Sequence, residues 1–368
     1  MNLAAIERNV ARLRARLTGG AGLCAVVKAD GYGHGAAHAA RAALAGGARQ
    51  LAVATAAEAL ELRDAGIDSP VLVMGAISAE ELPDALAARA ELVAWTEPFV
   101  DQVVAAARGA HAPVRVHVKL DTGMGRLGTR EPAEALAVAD RVSASGAALE
   151  LAGAMTHFAT ADDDPGFVDE QLMRFGPFVE ELRRRHGPLV VHAANSAATL
   201  NMPASHFDLV RCGIAIYGCD PMNSDPDAHE LEPALELSSY VAAVKRAEVG
   251  DSVGYGRRFV ADRETWIATL PIGYGDGIRR ALTNNCEALV GGRRYPLVGA
   301  VSMDNIALDL GAETTVEAGQ AATIIGRNGG ERQTAEELAR RIGTINYEIL
   351  CGVSRRVPRV FHRDGEPA

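Results

Sequence analysis

LCAVVKADGYGHG, residues 23–35, places a lysine directly after five mostly apolar residues and then continues into glycines. The apolar run predicts a buried β-strand, and the glycines predict a turn at its carboxyl end. Because lysine is rarely buried without a partner, Lys28 either reaches solvent from the strand end or serves a site there. The choice depends on what the rest of the chain brings to that end of the strand.

Seven further apolar runs follow, separated by segments with helical spacing such as 56–66, 131–145 and 169–187. The runs cover residues 51–54, 70–74, 91–95, 113–119, 149–155, 189–193 and 208–217. Near-continuous apolar runs that each precede a helix are typical of parallel strands buried on both faces. Eight such units in about 200–250 residues predict an α/β fold with a closed (β/α)8 barrel of the TIM type.

The character of the chain changes after the eighth run. Residues 220–234 are rich in proline and aspartate and predict a linker, and the segments beyond it are β-like with glycine-rich turns. One helix is expected there, near residues 334–342. The sequence therefore predicts two domains, a barrel over 1–230 and a mainly-β domain over 231–368.

Composition restricts the classes of partner. The chain has 368 residues, 48% of them hydrophobic, and a net charge of −10, which argues against a nucleic-acid or anionic-membrane surface. Its five cysteines are scattered with no CxxC pair, and no apolar signal core or membrane-length run is present. No zinc-binding or dinucleotide-binding spacing occurs either. We expect a cytoplasmic protein without a metal, whose partner is a small molecule or a protein.

Active sites of (β/α)8 barrels lie at the carboxyl ends of the strands. Several of the predicted ends carry polar or reactive side chains, namely Lys28, Lys119, His157, Asn195, Ser196 and Arg211. A barrel end lined in this way suits an anionic cofactor or substrate. The backbone amides of residues 212–214 are candidate phosphate ligands.

Nine motifs, in order along nearly the whole chain, resemble those of the pyridoxal-phosphate (PLP)-dependent alanine racemases. They are AVVKADGYGHG, VKLDTGMGRLG, MTHFATAD, HAANSAA, VRCGIAIYG, SVGYGRRF, PIGYGDG, VSMDN and NYEILCGVSRRVPRVF. The resemblance implies a barrel with a C-terminal β domain and an isomerase that interconverts L- and D-alanine. Such an activity supplies D-alanine for peptidoglycan or takes part in alanine catabolism.

The resemblance also implies two acid–base groups, one for each face of the substrate. Lys28 corresponds to the Schiff-base lysine, which serves one face; an ordinary lysine has a pKa of about 10.4 and needs nearby cations such as Arg126 and Arg211 to favour its neutral form. Tyr255 corresponds to the base of the opposite face. In the family this tyrosine comes from the neighbouring subunit, so a head-to-tail homodimer is implied.

The other family positions carry over one by one. Arg211 matches the arginine that faces the pyridine nitrogen, and His157 matches the histidine that packs beside the ring. Contacts to the cofactor phosphate correspond to Tyr32, Ser196, Gly213, Ile214 and Tyr347.

The substrate side has its own counterparts. Arg126, Met303 through its backbone and Asp304 match residues near the substrate carboxylate. Lys119 matches a lysine that many members carry as a carbamate, and we expect that modification here. Tyr274 and Asp162 match the access corridor.

Three alternatives remain open at this point. The first is a racemase of broader specificity, for example one that accepts serine. The second is a decarboxylase of the same architecture, which would need an acid beside the pyridine nitrogen where this chain has Arg211. The third is a non-catalytic PLP carrier, which would need neither the β domain nor Tyr255.

Overall fold

Eight parallel strands pair in chain order and close into a barrel in the computed structural model, which describes residues 1–108 and 112–368. They are β1 (Gly22–Val26), β2 (Gln50–Val53), β3 (Val71–Val73), β4 (Glu91–Ala94), β5 (Val114–Lys119), β6 (Leu149–Met155), β7 (Val190–His192) and β8 (Leu209–Cys212). Residues of β1 to β4 are buried on both faces, which explains their continuous apolar runs. The predicted barrel is confirmed.

The first helix precedes β1 and the other helical segments follow the strands; one of them, Lys28–Tyr32, has left-handed backbone angles from Ala29 to Tyr32. The helical segments are α1 (Leu3–Ala15), α2 (Lys28–Tyr32), α3 (Ala36–Ala45), α4 (Ala56–Asp64), α5 (Leu82–Ala87), α6 (Glu97–Ala106), α7 (Pro132–Ser143), α8 (Pro165–His186) and α9 (Ser196–Asn201). Side chains of Thr55, Thr96 and Asp164 cap α4, α6 and α8 at their first turns. None of the helices in the described residues combines the length and apolarity needed to cross a membrane.

The eighth apolar run differs from its prediction. Only Leu209–Cys212 forms a strand, and Ile214–Tyr217 continues as a 3-10 helix. All four residues of that helix are fully buried. The run is therefore apolar because of burial, and its second half is not a strand.

The rest of the chain is built mainly of antiparallel strands. They are β9 (Leu237–Tyr240), β10 (Ala243–Ala247), β11 (Ser252–Val253), β12 (Phe259–Val260), β13 (Thr265–Leu270), β14 (Glu287–Val290), β15 (Arg293–Val298), β16 (Ile306–Gly311), β17 (Ala321–Asn328), β18 (Glu331–Gln333), β19 (His362–Arg363) and β20 (Glu366–Pro367). An eight-stranded sheet has the order β10-β13-β16-β15-β14-β17-β18, with β9 also paired to β17. The expected helix is α10 (Ala335–Arg341), and a second helix, α11 (Asn346–Cys351), was not predicted.

The chain forms two compact units, one of Ile6–Ile216 and one of Met1–Ala5 with Tyr217–Ala368. Asn2 joins the second unit through its backbone N–H, which donates to the Ala234 carbonyl at 2.8 Å. Within residues 220–234, expected to form a linker, Asp220, Pro226 and Leu231 are buried in that unit. The predicted domain boundary at residue 230, between the barrel and the mainly-β domain, stays a prediction.

Candidate active site

Lys28 begins a turn with unusual backbone geometry. The next four residues have positive φ values of 52° (Ala29), 55° (Asp30), 61° (Gly31) and 53° (Tyr32). This left-handed region costs an L-residue about 1–2 kcal/mol. The surroundings hold the turn in place, since Glu58 on α4 accepts a hydrogen bond from the Ala29 N–H at 2.7 Å. Lys28 is thus fixed between a buried strand and a strained turn, a combination that clusters at functional sites.

A cradle of hydroxyls and amides lies at the ends of β7 and β8. The Ser196 hydroxyl, in the first turn of α9, accepts hydrogen bonds from the Gly213 N–H at 3.0 Å and the Ala215 N–H at 3.4 Å. Gly213 lets another group approach closely, because a Cβ there would overlap the Tyr32 hydroxyl. Hydroxyls and backbone amides without a full charge suit a phosphate.

Four cationic side chains act electrostatically on His157, which follows β6, and Arg211 Nη2 lies 3.1 Å from its Nδ1. Burial lowers the pKa of this histidine well below its ordinary value, and Arg211, Arg126, Lys119 and Lys28 lower it further. His157 is therefore neutral at physiological pH. A group of cations around a neutral ring favours an anionic ligand.

Lys119, the last residue of β5, is 3% exposed. The pKa of its amine is lowered to about 8, chiefly by burial and then by Arg211 and Arg126. At pH 7 about a tenth of the amine is neutral, whereas an ordinary lysine has a pKa near 10.4. The neutral amine is the nucleophilic form.

The loop after β5 carries Arg126 and is organised by Asp121. The Asp121 carboxylate accepts hydrogen bonds from the N–H groups of Gly123 and Gly125, both at 3.0 Å, and from Arg130 Nε at 3.2 Å. Burial opposes ionisation, but these bonds hold the pKa of Asp121 below its ordinary value. Arg126 is exposed in this loop, and Asp162 is exposed in the loop before α8.

A buried glutamine fixes the loop around His157. Gln171 on α8 donates through Nε2 to the Thr122 hydroxyl at 3.0 Å and to the His157 carbonyl at 3.1 Å. Its Oε1 accepts from the Ala159 N–H at 2.9 Å. Gln171 therefore links the loop after β6 to the loop after β5.

In the second unit, Tyr274, Met303 and Asp304 lie in two loops held together by Arg356. The Met303 carbonyl accepts from the Gly275 N–H at 2.9 Å, and Arg356 Nη2 lies 2.8 Å from Asp304 Oδ1. Hydrogen bonds to acidic partners raise the pKa of Arg356. The structure brings these three predicted residues together.

Tyr255 and Tyr347 occupy other parts of the same unit. Tyr255 lies in a 3-10 turn between β11 and β12 and is 76% exposed. Asn284 Nδ2 steadies that turn by donating to the Arg258 carbonyl at 3.0 Å. Tyr347 lies on α11 beside the fully buried Asn346, which donates to the Asp220 carbonyl at 2.7 Å.

Sequence reasoning missed the residues that hold Arg211. Its guanidinium is 3% exposed and donates to His192 Nδ1 at 2.9 Å, to His157 Nδ1 at 3.1 Å and to the Thr156 carbonyl at 2.9 Å. His192 is in turn hydrogen-bonded to His117, and His117 is hydrogen-bonded to Glu91. The available signal was a polar residue inside each of three apolar runs, at 91, 117 and 192.

Comparisons with known proteins cover the whole architecture. Residues 1–221 match the family model "Alanine racemase, N-terminal domain", and residues 234–361 match "Alanine racemase, C-terminal domain". A curated alanine racemase of Halalkalibacterium halodurans is 41% identical over 372 residues, covering 100% of this chain and 95% of the relative. One of Thermobifida fusca is 42% identical over 365 residues, covering 98% and 96%.

Solved structures agree. The crystal structure of alanine racemase from D-cycloserine-producing Streptomyces lavendulae has a TM-score of 0.93 and 38% identity, covering 98% of this chain and 96% of that chain. The alanine racemase from Bacillus anthracis with bound L-Ala-P has a TM-score of 0.91 and 38% identity, covering 100% and 95%. The barrel, the antiparallel second unit and these similarities together place this chain in the alanine racemase family.

Proposed function

We propose that this protein is a PLP-dependent isomerase that interconverts L- and D-alanine. The main observation behind this proposal is that three features lie at the carboxyl ends of the barrel strands. They are Lys28, a set of cationic side chains and the cradle formed by Ser196 and Gly213. Membership of the alanine racemase family supports the substrate.

The residues at the barrel end fit PLP. Lys28 would hold the cofactor covalently through Nζ, and Tyr32, Ser196, Gly213, Ile214 and Tyr347 would bind its phosphate. Neutral His157 would pack beside the ring without adding a charge. Bound PLP supplies an electron sink for the Cα–H bond of the amino acid.

Two side chains would move the proton. Lys28 Nζ would remove or return it on one face, and the Tyr255 hydroxyl would do so on the other. We propose a head-to-tail homodimer in which residues 231–368 of one copy present Tyr255 to the barrel, residues 1–230, of the other. The 76% exposure of Tyr255 supports this role.

Other side chains would bind and admit the substrate. Arg126, the Met303 backbone and Asp304 would contact the alanine carboxylate, and Tyr274 and Asp162 would line the access corridor. Lys119 would react as the neutral amine with CO₂ to form a carbamate and release a proton, which replaces a second cation near Arg126 with an anion. Its pKa of about 8 supports that step.

Arg211 distinguishes the proposed racemase from a decarboxylase of the same architecture. A fixed cation beside the pyridine nitrogen would disfavour ring protonation and so weaken the electron sink. We expect this to favour rapid return of the proton over loss of CO₂ or transamination.

The test is incubation of the purified protein with L-alanine in deuterated water. We expect loss of optical rotation together with deuterium at Cα. Release of CO₂ would indicate a decarboxylase, inertness with bound PLP would indicate a carrier, and equal turnover of L-serine would indicate a broad racemase.

Two inactive variants test the shared site. We expect Tyr255→Phe to keep PLP and to lose about 10²–10⁴-fold in racemisation, as removal of a general acid–base group does. Tyr240→Phe is the matched control, since Tyr240 is 53% exposed in the same unit. Mixed dimers of Lys28→Ala and Tyr255→Phe subunits regain one working site if Tyr255 crosses between copies. They stay inactive if each site uses its own tyrosine.

A further inference from the structure

A chain of hydrogen bonds leads from Arg211 through the barrel interior to Glu91. Arg211 Nη1 lies 2.9 Å from His192 Nδ1, His192 Nε2 lies 2.9 Å from His117 Nδ1, and His117 Nε2 lies 2.8 Å from Glu91 Oε2. All four residues are buried. Gly153 on β6 makes room for this barrel relay, because a Cβ there would overlap His117 Nδ1.

The two ends determine the direction of every bond in the barrel relay. A guanidinium only donates and a carboxylate only accepts. Because Arg211 donates to His192 Nδ1, a neutral His192 carries its proton on Nε2 and donates it to His117 Nδ1. His117 then carries its own proton on Nε2 and donates to Glu91. A second proton on either ring would set two N–H groups against each other.

The surroundings of Glu91 keep it ionised. Gln50 Nε2 donates to Glu91 Oε2 at 2.8 Å, and Arg115 Nε lies 3.3 Å from Oε1. Burial acts to raise the pKa of Glu91, but these partners and the hydrogen bond from His117 lower it below its ordinary value. Arg115 also lies 3.7 Å from Glu150, a half-exposed carboxylate that does not belong to the barrel relay.

Other titratable groups face the Arg211 end. Lys119 and His157 lie among the cations and rings of the barrel end, and Cys24 on β1 is the strand partner of Arg211. Burial raises the pKa values of the Cys24 and Cys212 thiols, to about 12 for Cys212, so both stay protonated. Neither thiol therefore supplies a negative charge to Arg211.

We propose that Glu91 is a positioning residue that acts on Arg211 through His117 and His192 and holds the guanidinium as a fixed cation at the barrel end. This inference rests on the proposed function in making Arg211 the group beside the pyridine nitrogen. The obligate acceptor at one end and the obligate donor at the other leave one arrangement of protons. The barrel relay consequently holds the guanidinium of Arg211 in one orientation.

The first test reads the ring protons directly. In ¹⁵N-histidine-labelled full-length protein, we expect both His117 and His192 to be Nε2–H tautomers, as the hydrogen bonds from Arg211 and to Glu91 require. Assignment uses the loss of one signal in each of His117→Gln and His192→Gln. An Nδ1–H tautomer of either ring overturns the proposal.

The second test changes the acceptor at the Glu91 end of the barrel relay. Glu91→Gln keeps the size of the side chain, but its amide both donates and accepts, so the bond to His117 no longer has a required direction. We expect the barrel relay to reverse in part of the molecules, with His117 and His192 as Nδ1–H tautomers and Arg211 no longer donating to His192. We also expect an altered visible spectrum of bound PLP, about tenfold lower kcat with KM changed less than twofold, and more transamination per racemisation. Glu150→Gln removes the other carboxylate beside Arg115 and should behave like the unaltered protein.

The outcomes separate this inference from the proposed function. Nε2–H tautomers at His117 and His192 in a protein that does not racemise alanine would refute the proposed function but support the barrel relay. Normal racemisation with unchanged tautomers and spectrum in Glu91→Gln would remove the role of Glu91. Should Glu91→Gln fail to fold, the tautomers of His117 and His192 in the unaltered protein still decide.

Discussion

Replacement of Glu58 by alanine tests whether the left-handed turn after Lys28 is held from outside. Glu58 accepts three backbone hydrogen bonds, from the N–H groups of Ala29 and Ala54 at 2.7 Å and of Thr55 at 3.2 Å. At about 1 kcal/mol net each, their loss destabilises the protein by about 3 kcal/mol, reduced towards 2 because Glu58 is only half-buried. Thr55→Ala removes the other half of the same helix cap, whose typical value is about 1 kcal/mol.

The two variants differ in what they do to Lys28. Thr55→Ala leaves the bond between Glu58 and Ala29 intact, whereas Glu58→Ala releases a turn whose left-handed L-residues each carry about 1–2 kcal/mol of strain. We therefore expect Glu58→Ala alone to lower PLP occupancy, by tenfold or more.

The measurements are the urea midpoint of unfolding and the PLP content of the purified protein by absorbance. Glu61→Ala, an exposed position on the same helix, should leave both unchanged. Full PLP occupancy and normal turnover in Glu58→Ala would refute the idea that this carboxylate holds the turn.

Three further predictions concern other parts of the site. The pKa of Lys119 is lowered to about 8 in the native protein but stays at 10.5 in the unfolded chain. The unfolded state therefore binds more protons between these two values, and the free energy of unfolding rises with pH across that window. In CO₂-free buffer the urea midpoint should rise there relative to that of Lys119→Met, and parallel curves for the two proteins would contradict this prediction. Gly213→Ala should weaken PLP affinity at least tenfold in an absorbance titration, since the new Cβ overlaps the Tyr32 hydroxyl, and Tyr32→Phe should restore part of the loss. Arg356→Met, which frees the loop of Asp304, should raise KM for alanine about threefold to tenfold while PLP binding persists, and an unchanged KM would show that this ion pair does not shape the substrate side.

The barrel was predictable because its strands are buried on both faces, which leaves a long apolar signal in the sequence. The same signal misled at 208–217, where Ile214–Tyr217 is as buried as a strand but helical. Helix α11 was missed because its six residues, next to a left-handed glycine turn at Gly343, are too short to show helical periodicity.

The candidate site was predictable residue by residue only through motifs, since no spacing rule connects Lys28 to Tyr255. The barrel relay escaped because Glu91, His117 and His192 lie in three separate strands that only barrel closure brings together. A polar residue in a buried strand signals that a partner exists, but it does not say which one.

The left-handed turn has a consequence for chirality. At φ 52° and ψ 50°, Ala29 has the backbone geometry that a D-residue prefers, since mirror-image sterics invert the helical preference. A semisynthetic protein with D-alanine at position 29 should therefore be more stable, by about 1–2 kcal/mol, and D-alanine at the right-handed position Ala40 should cost a similar amount. By the proposed function, D-alanine is a product of this enzyme, and it is also the residue that suits the left-handed backbone at position 29, next to Lys28.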